Sequence, residues 1–268
     1  MEIPTKSLRS GFRMPAFGIG TWGVGGKGHR DFLNDDKGDV EAIRAAIECG
    51  VTCIDTAEMY AGGHAEVLVG RAIQGNDRAL LRIISKVFVN HLSYDDTIAA
   101  CKGSLKRLGV DYLDLYLIHG YESAVPLEET MRAMNTLVEE ELTRAIGVAN
   151  FGSERLAKAQ SYTKYPIVYN QVHYNLEFRE PEQKGLLEYC QQNDVLLAAW
   201  RPIQKGMLTE SPPAVVTEMC QKYGKTPAQI ALNWLTSQEN VVTLAKSSSL
   251  EHLKDNLGAV KKIMEVIS

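Results

Sequence analysis

The chain has 268 residues, 45% of them hydrophobic and 23% charged, which is the composition of an ordinary globule long enough to bury one large core. Its formal net charge is −4 and it has no basic block, which excludes a surface built for nucleic acid or anionic lipid, so any anion must be held by a local site. No apolar run is long enough to span a membrane, and the opening MEIPTKSLRSGFRMP lacks an apolar signal core.

Residues 1–14 read as a hairpin turning at Ser10 and Gly11. From there, short apolar runs alternate with amphipathic ones. A strand predicted at 16–20 is followed by a helix at 39–48, and a strand at 52–54 by a helix at 65–74. The pattern continues with strand 82–85 and helix 94–108, then strand 113–118 and helix 127–140. Strand 144–148 leads to helix 153–161, and strand 167–170 to helix 182–193. Strand 195–199 precedes an extra helix at 213–223 and a regular one at 227–237; strand 241–244 precedes a last helix from Leu250. Gly50 and Gly109 stand just past their helices, Asp95 and Ser153 are N-cap candidates, and Pro227 suits a first helical turn.

Strands that alternate with helices pair in parallel through crossovers. Eight such units imply an α/β fold, a single-domain (β/α)8 TIM barrel over residues 1–268. The N-terminal hairpin would plug its bottom, and the extra helix before the seventh regular one is an insertion. The cysteines Cys49, Cys53, Cys101, Cys190 and Cys220 form no CxxC pair, and four lie in apolar-periodic stretches. Buried free thiols in a cytoplasmic protein are expected.

The predicted strands end in polar side chains. Ile54 is followed by Asp55, Ser85 by Lys86 and Ile118 by His119; later runs lead to Asn150, Gln171, Trp200 and Lys246. In this fold the C-terminal strand ends converge on one mouth, where active sites sit. Tyr60, in the loop after the second strand, can fold back over that mouth. A tyrosine beside a lysine ammonium is a candidate general acid, because a nearby cation lowers the phenol's pKa. Asp55 would hold the lysine and keep it charged, and His119 would orient a substrate oxygen. Taken singly, each residue also fits a structural role: an ion pair, a satisfied histidine, a packing aromatic. Their meeting in the loops of one mouth favours chemistry.

These residues also carry a resemblance. IDTAEMYAGGHAEVLVGRAI (54–73), ISK (84–86), LGVDYLDLYLIH (108–119), IGVANF (146–151), YNQVHYN (169–175) and LAKSSS (244–249) resemble the aldo-keto reductase family, in order, over nearly the whole chain. The resemblance implies reduction of aldehydes or ketones with a nicotinamide cofactor lying across the barrel mouth. It also implies a catalytic set of Asp55, Tyr60, Lys86 and His119, with Tyr60 as proton donor. On the same basis Asn150 and Gln171 would bond the carboxamide, and Trp200 would stack on the nicotinamide. Thr21 and Asp55 would lie near its ribose, and Ile203, Gln204 and Gly206 along the pyrophosphate. Lys246, Ser247 and Ser248 would face the adenosine phosphate, and Asn256 the adenine.

The sequence departs from the family in several places. Ala149 replaces a serine, and His252 replaces an arginine that grips the 2′-phosphate. Lys246 with its serines keeps NADPH the preferred cofactor, with NADH a weaker one. The loop GYESAVP after His119 is short and little chain follows Asn256, so a shallow pocket with loose specificity is expected. Its apolar walls would be Trp22 and Trp200, although Trp22 would also suit the core.

Other readings fit less well. Gly23, Gly25 and Gly28 form GxGxxG, but the following HRDFLNDDKG is loop-like, so a Rossmann fingerprint lacks its helix. A Schiff-base aldolase would need Lys86 uncharged, against the influence of Asp55. A non-catalytic NADPH-binding subunit would not need the full catalytic set. A metal-dependent hydrolase finds no HxH or HExxH spacing.

Overall fold

The computed structural model describes residues 3–246 and 249–260. β1 (Thr5–Ser7) and β2 (Arg13–Pro15) form the expected antiparallel hairpin, with Lys6 opposite Met14. Among the described residues, eight parallel strands close into a barrel. They are β3 (Phe17–Gly20), β4 (Cys53–Asp55), β5 (Arg82–Val87), β6 (Leu115–Ile118), β7 (Ile146–Ala149), β8 (Ile167–His173), β9 (Leu196–Trp200) and β10 (Val241–Ala245). β10 pairs with both β9 and β3, so the sheet of eight strands closes without an open edge.

The surrounding helices are α1 (Asp36–Glu48), α2 (His64–Ile73), α3 (Tyr94–Leu108), α4 (Leu127–Glu139), α5 (Ser153–Ser161), α6 (Glu180–Gln183), α7 (Leu186–Gln192), α8 (Met207–Glu210), α9 (Ala214–Tyr223), α10 (Pro227–Ser237) and α11 (Leu250–Val260). α3, α5 and α10 span the residues expected from periodicity. α10 begins with a capping box, Thr226 and Gln229 each bonding the other's backbone N–H.

Three local expectations are corrected. The helix predicted at 182–193 is two helices, α6 and α7, because Gly185 takes φ +68 between them. Asp95 is not an N-cap. Ser93 caps α3 by accepting from Asp96 N, which leaves Asp95 and Asp96 in the first turn, where the helix dipole favours acids. Ser153 is likewise one residue inside α5; Gly152, extended at ψ 168, holds the cap position without a side chain.

Strand interiors divide between two cores. One set faces the helices; the other fills the barrel and includes Ile84, Leu115, Leu117, Tyr169, Leu196 and Leu244. Leu8 and Met14 of the hairpin join the inner set, so the hairpin closes the barrel floor. The inner layer is tight: a Cβ on Gly147 would stand 2.5 Å from Leu117 and 2.7 Å from the Tyr169 carbonyl oxygen. Below the strands, Asp114 accepts from Ile83 N and pairs with Arg78, while Arg78 and Arg144 lie over Tyr112. In this fold, polar residues at that end stabilise the barrel and take no part in catalysis.

Candidate active site

Parallel register places Asp55 opposite Ile84 and Lys86 opposite Leu117, so Asp55, Lys86 and His119 emerge at the same barrel end. Tyr60 reaches them through a reversal of the chain. Ala61, Gly62 and Gly63 take φ +52, +61 and +89, and the Ala61 N–H bonds to the Lys27 carbonyl of the first loop. A left-handed alanine costs roughly 1–2 kcal/mol. The turn persists because it is tied at both ends and because Tyr60 packs edge-on against Trp22 and His119, with centroids 5.1 and 5.6 Å apart.

Lys86 is fully buried, and its ammonium finds an acceptor for each of its three hydrogens. Nζ donates to Asp55 Oδ1 at 2.6 Å, to the Thr56 carbonyl at 2.8 Å and to the Tyr60 hydroxyl oxygen at 3.2 Å. Because Lys86 donates to the phenol oxygen, the phenol's own proton must point elsewhere, toward the cleft. Burial pulls the lysine's pKa down, but Asp55 and Tyr60 outweigh it and hold it above the ordinary value. A neutral amine nucleophile, which an aldolase needs, is not what this pocket makes. Burial pushes the Asp55 carboxyl up, with Lys86 and Gln171 pulling the other way.

The expected lowering of the Tyr60 pKa is overturned. Burial raises it, and Lys86 offsets only part of that rise. The lysine's pull is real, but desolvation of the phenolate is larger. The result keeps Tyr60 protonated at neutral pH, the state a proton donor requires.

His119 lines the same cleft, with Nδ1 buried and unpartnered. Burial and, secondarily, Lys86 push its pKa down to about 3, so it is a neutral hydrogen-bonding group. The ring proton resonances of His119 should therefore stay at their neutral positions from about pH 8 down to pH 5; a titration near 6.5 would contradict this. An unfolded chain takes up this proton near 6.5 and the folded one only near 3. Stability is therefore lost as pH falls through that window.

A cleft of about 1020 Å³ runs from these residues across the mouth. Trp22, 45% exposed, lines it and is not core. Asn150, Gln171, Trp200, Ile203, Gly206, Lys246, His252 and Asn256 line it too. Lys246 Nζ lies against the loop after the neighbouring strand β3, 3.1 Å from where a Gly23 Cβ would stand. Ser247 and Ser248 lie outside the described residues.

Two expected residues sit differently. Thr21 is buried and donates its hydroxyl to the Asp55 carbonyl at 3.0 Å, and it lines a smaller cavity of about 440 Å³ beside α1. Gln204 is not among the residues lining the cleft; its Oε1 lies within 3.2 Å of Asn175 Nδ2 and 3.1 Å of His173 Nε2. Asn150, at φ +63, donates to the His119 carbonyl and accepts from Trp200 Nε1. GxGxxG opens no helix; the next is α1, at Asp36.

Some cleft residues were not anticipated. Thr226 lines the cleft and donates to Asp255, which also lines it. The T-x-x-Q capping signature was legible at Thr226, but not its place beside the cleft. Arg201, at φ +55, and Met59 also line the cleft, and no sequence signal marked them.

The Aldo/keto reductase family matches the chain over residues 16–265. A methylglyoxal reductase of Escherichia coli is 36% identical over 255 residues, covering 92% of this chain and 86% of that protein. A glyoxal reductase of Bacillus subtilis is 34% identical, covering 94% and 85%. Among solved structures, a thermostable aldo-keto reductase in complex with epalrestat superposes with a TM-score of 0.93 at 44% identity, covering 98% of each chain. An aldo-keto reductase of Klebsiella pneumoniae in complex with NADPH gives 0.85 at 36% identity, covering 97% of this chain and 90% of that one.

Proposed function

The chain belongs to the aldo/keto reductase family, whose members reduce carbonyls with NADPH, and we propose that Tyr60, Lys86, Asp55 and His119 carry that reaction here. The observation that supports the assignment most is the buried Lys86 ammonium, bonded at once to Asp55, the Thr56 carbonyl and the Tyr60 hydroxyl at the cleft floor.

The cleft suits the cofactor. Its volume is about 1020 Å³, and its lining includes Asp55, Tyr60 and His119 together with Lys246, His252 and Asn256. Trp200 and Gln171 would hold the nicotinamide end, with Asn150 joining once it releases Trp200. Ile203 and Gly206 would flank the pyrophosphate, and Lys246 and His252 the 2′-phosphate. When bound, NADPH supplies the hydride and its electron pair. Tyr60 gives its proton to the carbonyl oxygen as charge develops there, which favours the transition state over the ground state. Lys86, held by Asp55, spreads that charge, and neutral His119 fixes the oxygen's position.

Small aldehydes with an adjacent carbonyl are the proposed substrate class. The curated relatives that act on methylglyoxal and glyoxal support it, as does the exposed Trp22 wall, which leaves the pocket open. Loss of NADPH absorbance across a panel of dicarbonyls, simple aldehydes, ketones and quinones tests this. Turnover confined to quinones would refute it. Among the described residues, no helix is long and apolar enough to cross a membrane.

Lys246 is the clearest cation for the 2′-phosphate. Lys246→Met should cut the preference for NADPH over NADH by roughly 10- to 100-fold, the scale of one charge-assisted bond. Paired Kd values for the two cofactors check it; an unchanged ratio would move the role to His252.

A further inference from the structure

Behind Trp200 stands a second layer of aromatic rings. His173, at the end of β8, is stacked against Trp200 with centroids 4.6 Å apart and planes 19° from parallel. On its other side it stacks against Phe178 at 4.1 Å and 15°. The three rings form one pile, and only Trp200 at its end lines the cleft.

The pile is tied to the turn that follows Trp200. That turn is strained: Arg201 and Gln204 take φ +55 and +47, conformations an L residue rarely adopts. Its restraints come from the neighbouring loop. Asn175 Nδ2 donates to the Arg201 carbonyl at 3.0 Å and to Gln204 Oε1 at 3.2 Å. His173 Nε2 lies 3.1 Å from the same Gln204 oxygen. Asn175 Oδ1 accepts from the Glu177 and Phe178 N–H groups, which fixes the loop that presents Phe178. Strained residues persist only where surrounding contacts over-determine them. Here those contacts converge on His173 and Asn175.

We propose that His173 is a positioning residue for cofactor binding: its ring backs Trp200, while the turn that carries Ile203 and Gly206 is held by Asn175. It touches neither substrate nor cofactor. Its effect is to set the plane of Trp200 before NADPH arrives, so that less ordering remains to be done on binding. Burial pulls its pKa below the ordinary histidine value, so the ring is neutral at physiological pH and stacks as an uncharged aromatic. The proposal rests on the reading of Trp200 as the nicotinamide's platform.

Two substitutions separate its parts. His173→Phe keeps a ring in the pile and loses the bond to Gln204; His173→Gln keeps a polar group and loses the ring. NADPH titration, followed by the cofactor's own emission, gives Kd for each, with the melting temperature measured in parallel. His173→Phe should bind within about threefold of the unsubstituted protein, and His173→Gln about tenfold more weakly, the scale of two lost ring contacts. A folded His173→Gln protein that binds NADPH as tightly as the unsubstituted one overturns the proposal. So does a His173→Phe protein as weak as His173→Gln. A Trp200→Ala protein with unchanged affinity overturns the reading of Trp200 itself, and the proposal with it.

Discussion

Tyr60→Phe should lower the rate of carbonyl reduction by roughly 10²–10⁴, the usual contribution of one general acid, while NADPH binds almost as before. The substitution removes a single oxygen. Its ring still packs edge-on against Trp22 and His119, so the reversal at Ala61–Gly63 should hold. What disappears is the proton donor whose hydrogen Lys86 leaves free by occupying the phenol oxygen. His119 cannot substitute, because its pKa near 3 leaves it without a proton to spare at neutral pH. The wild-type pH profile carries the same signature. Burial holds Tyr60 above its ordinary pKa, so reduction should stay level through neutrality and fall only in alkali, as the phenol ionises. The reverse reaction, alcohol oxidation, needs phenolate and should rise over the same alkaline range. Single-turnover rates with NADPH preloaded measure the chemical step directly. A Tyr60→Phe protein with near-normal rates would remove Tyr60 from the mechanism.

Lys86→Met should damage both the fold and the reaction. The Asp55–Lys86 pair is buried, and removing one partner of such a pair typically costs about 3–5 kcal/mol. Asp55 can relieve part of that cost by taking up a proton, because burial already favours its neutral form. A carboxyl whose folded pKa is raised binds its proton more tightly folded than unfolded. The variant should thus be relatively more stable in acid, and lose stability as pH rises from about 4 through the folded pKa. Asp55→Asn in the same background should recover much of the stability without restoring activity. That double variant distinguishes an uncompensated charge from lost packing. For catalysis, loss of the ammonium leaves Tyr60 present but far less acidic, so the rate should fall by about 10²–10⁴. Tyr60→Phe combined with Lys86→Met should be little worse than either alone, because residues acting as a unit are not additive. Multiplicative losses in the double variant would show that the two act separately.

Some of this was legible from residue order alone. Alternation of short apolar runs with amphipathic ones is a local pattern, and it placed α3, α5 and α10 at their observed bounds. Parallel strands then bring their C-terminal ends together, which is why residue order alone groups Asp55, Lys86 and His119. The elements that went wrong depended on backbone choices that nearby residues do not dictate. Gly185 could continue or break a helix, and Ser93 and Asp95 could both cap α3; packing against the barrel and the competing bond to Asp96 decided.

The site's electrostatics and its second layer belonged to the tertiary structure. A cation beside a phenol suggests a lowered pKa. Whether desolvation exceeds that pull depends on how completely distant segments bury the oxygen, and here it does. Thr21 and Gln204 were expected at the cofactor from their places after β3 and β9, but their polar groups are engaged with Asp55 and with the His173–Asn175 pair. The stack of Phe178, His173 and Trp200 joins residues separated by up to 27 positions. Periodicity reports which face of an element is buried. It carries no information on which loop side chains meet across two strand ends, because that depends on loop backbone angles such as those of Arg201 and Gln204. Residue order therefore determined the barrel and which polar residues meet at its mouth, whereas burial and loop geometry decided their protonation states and which rings stack behind Trp200.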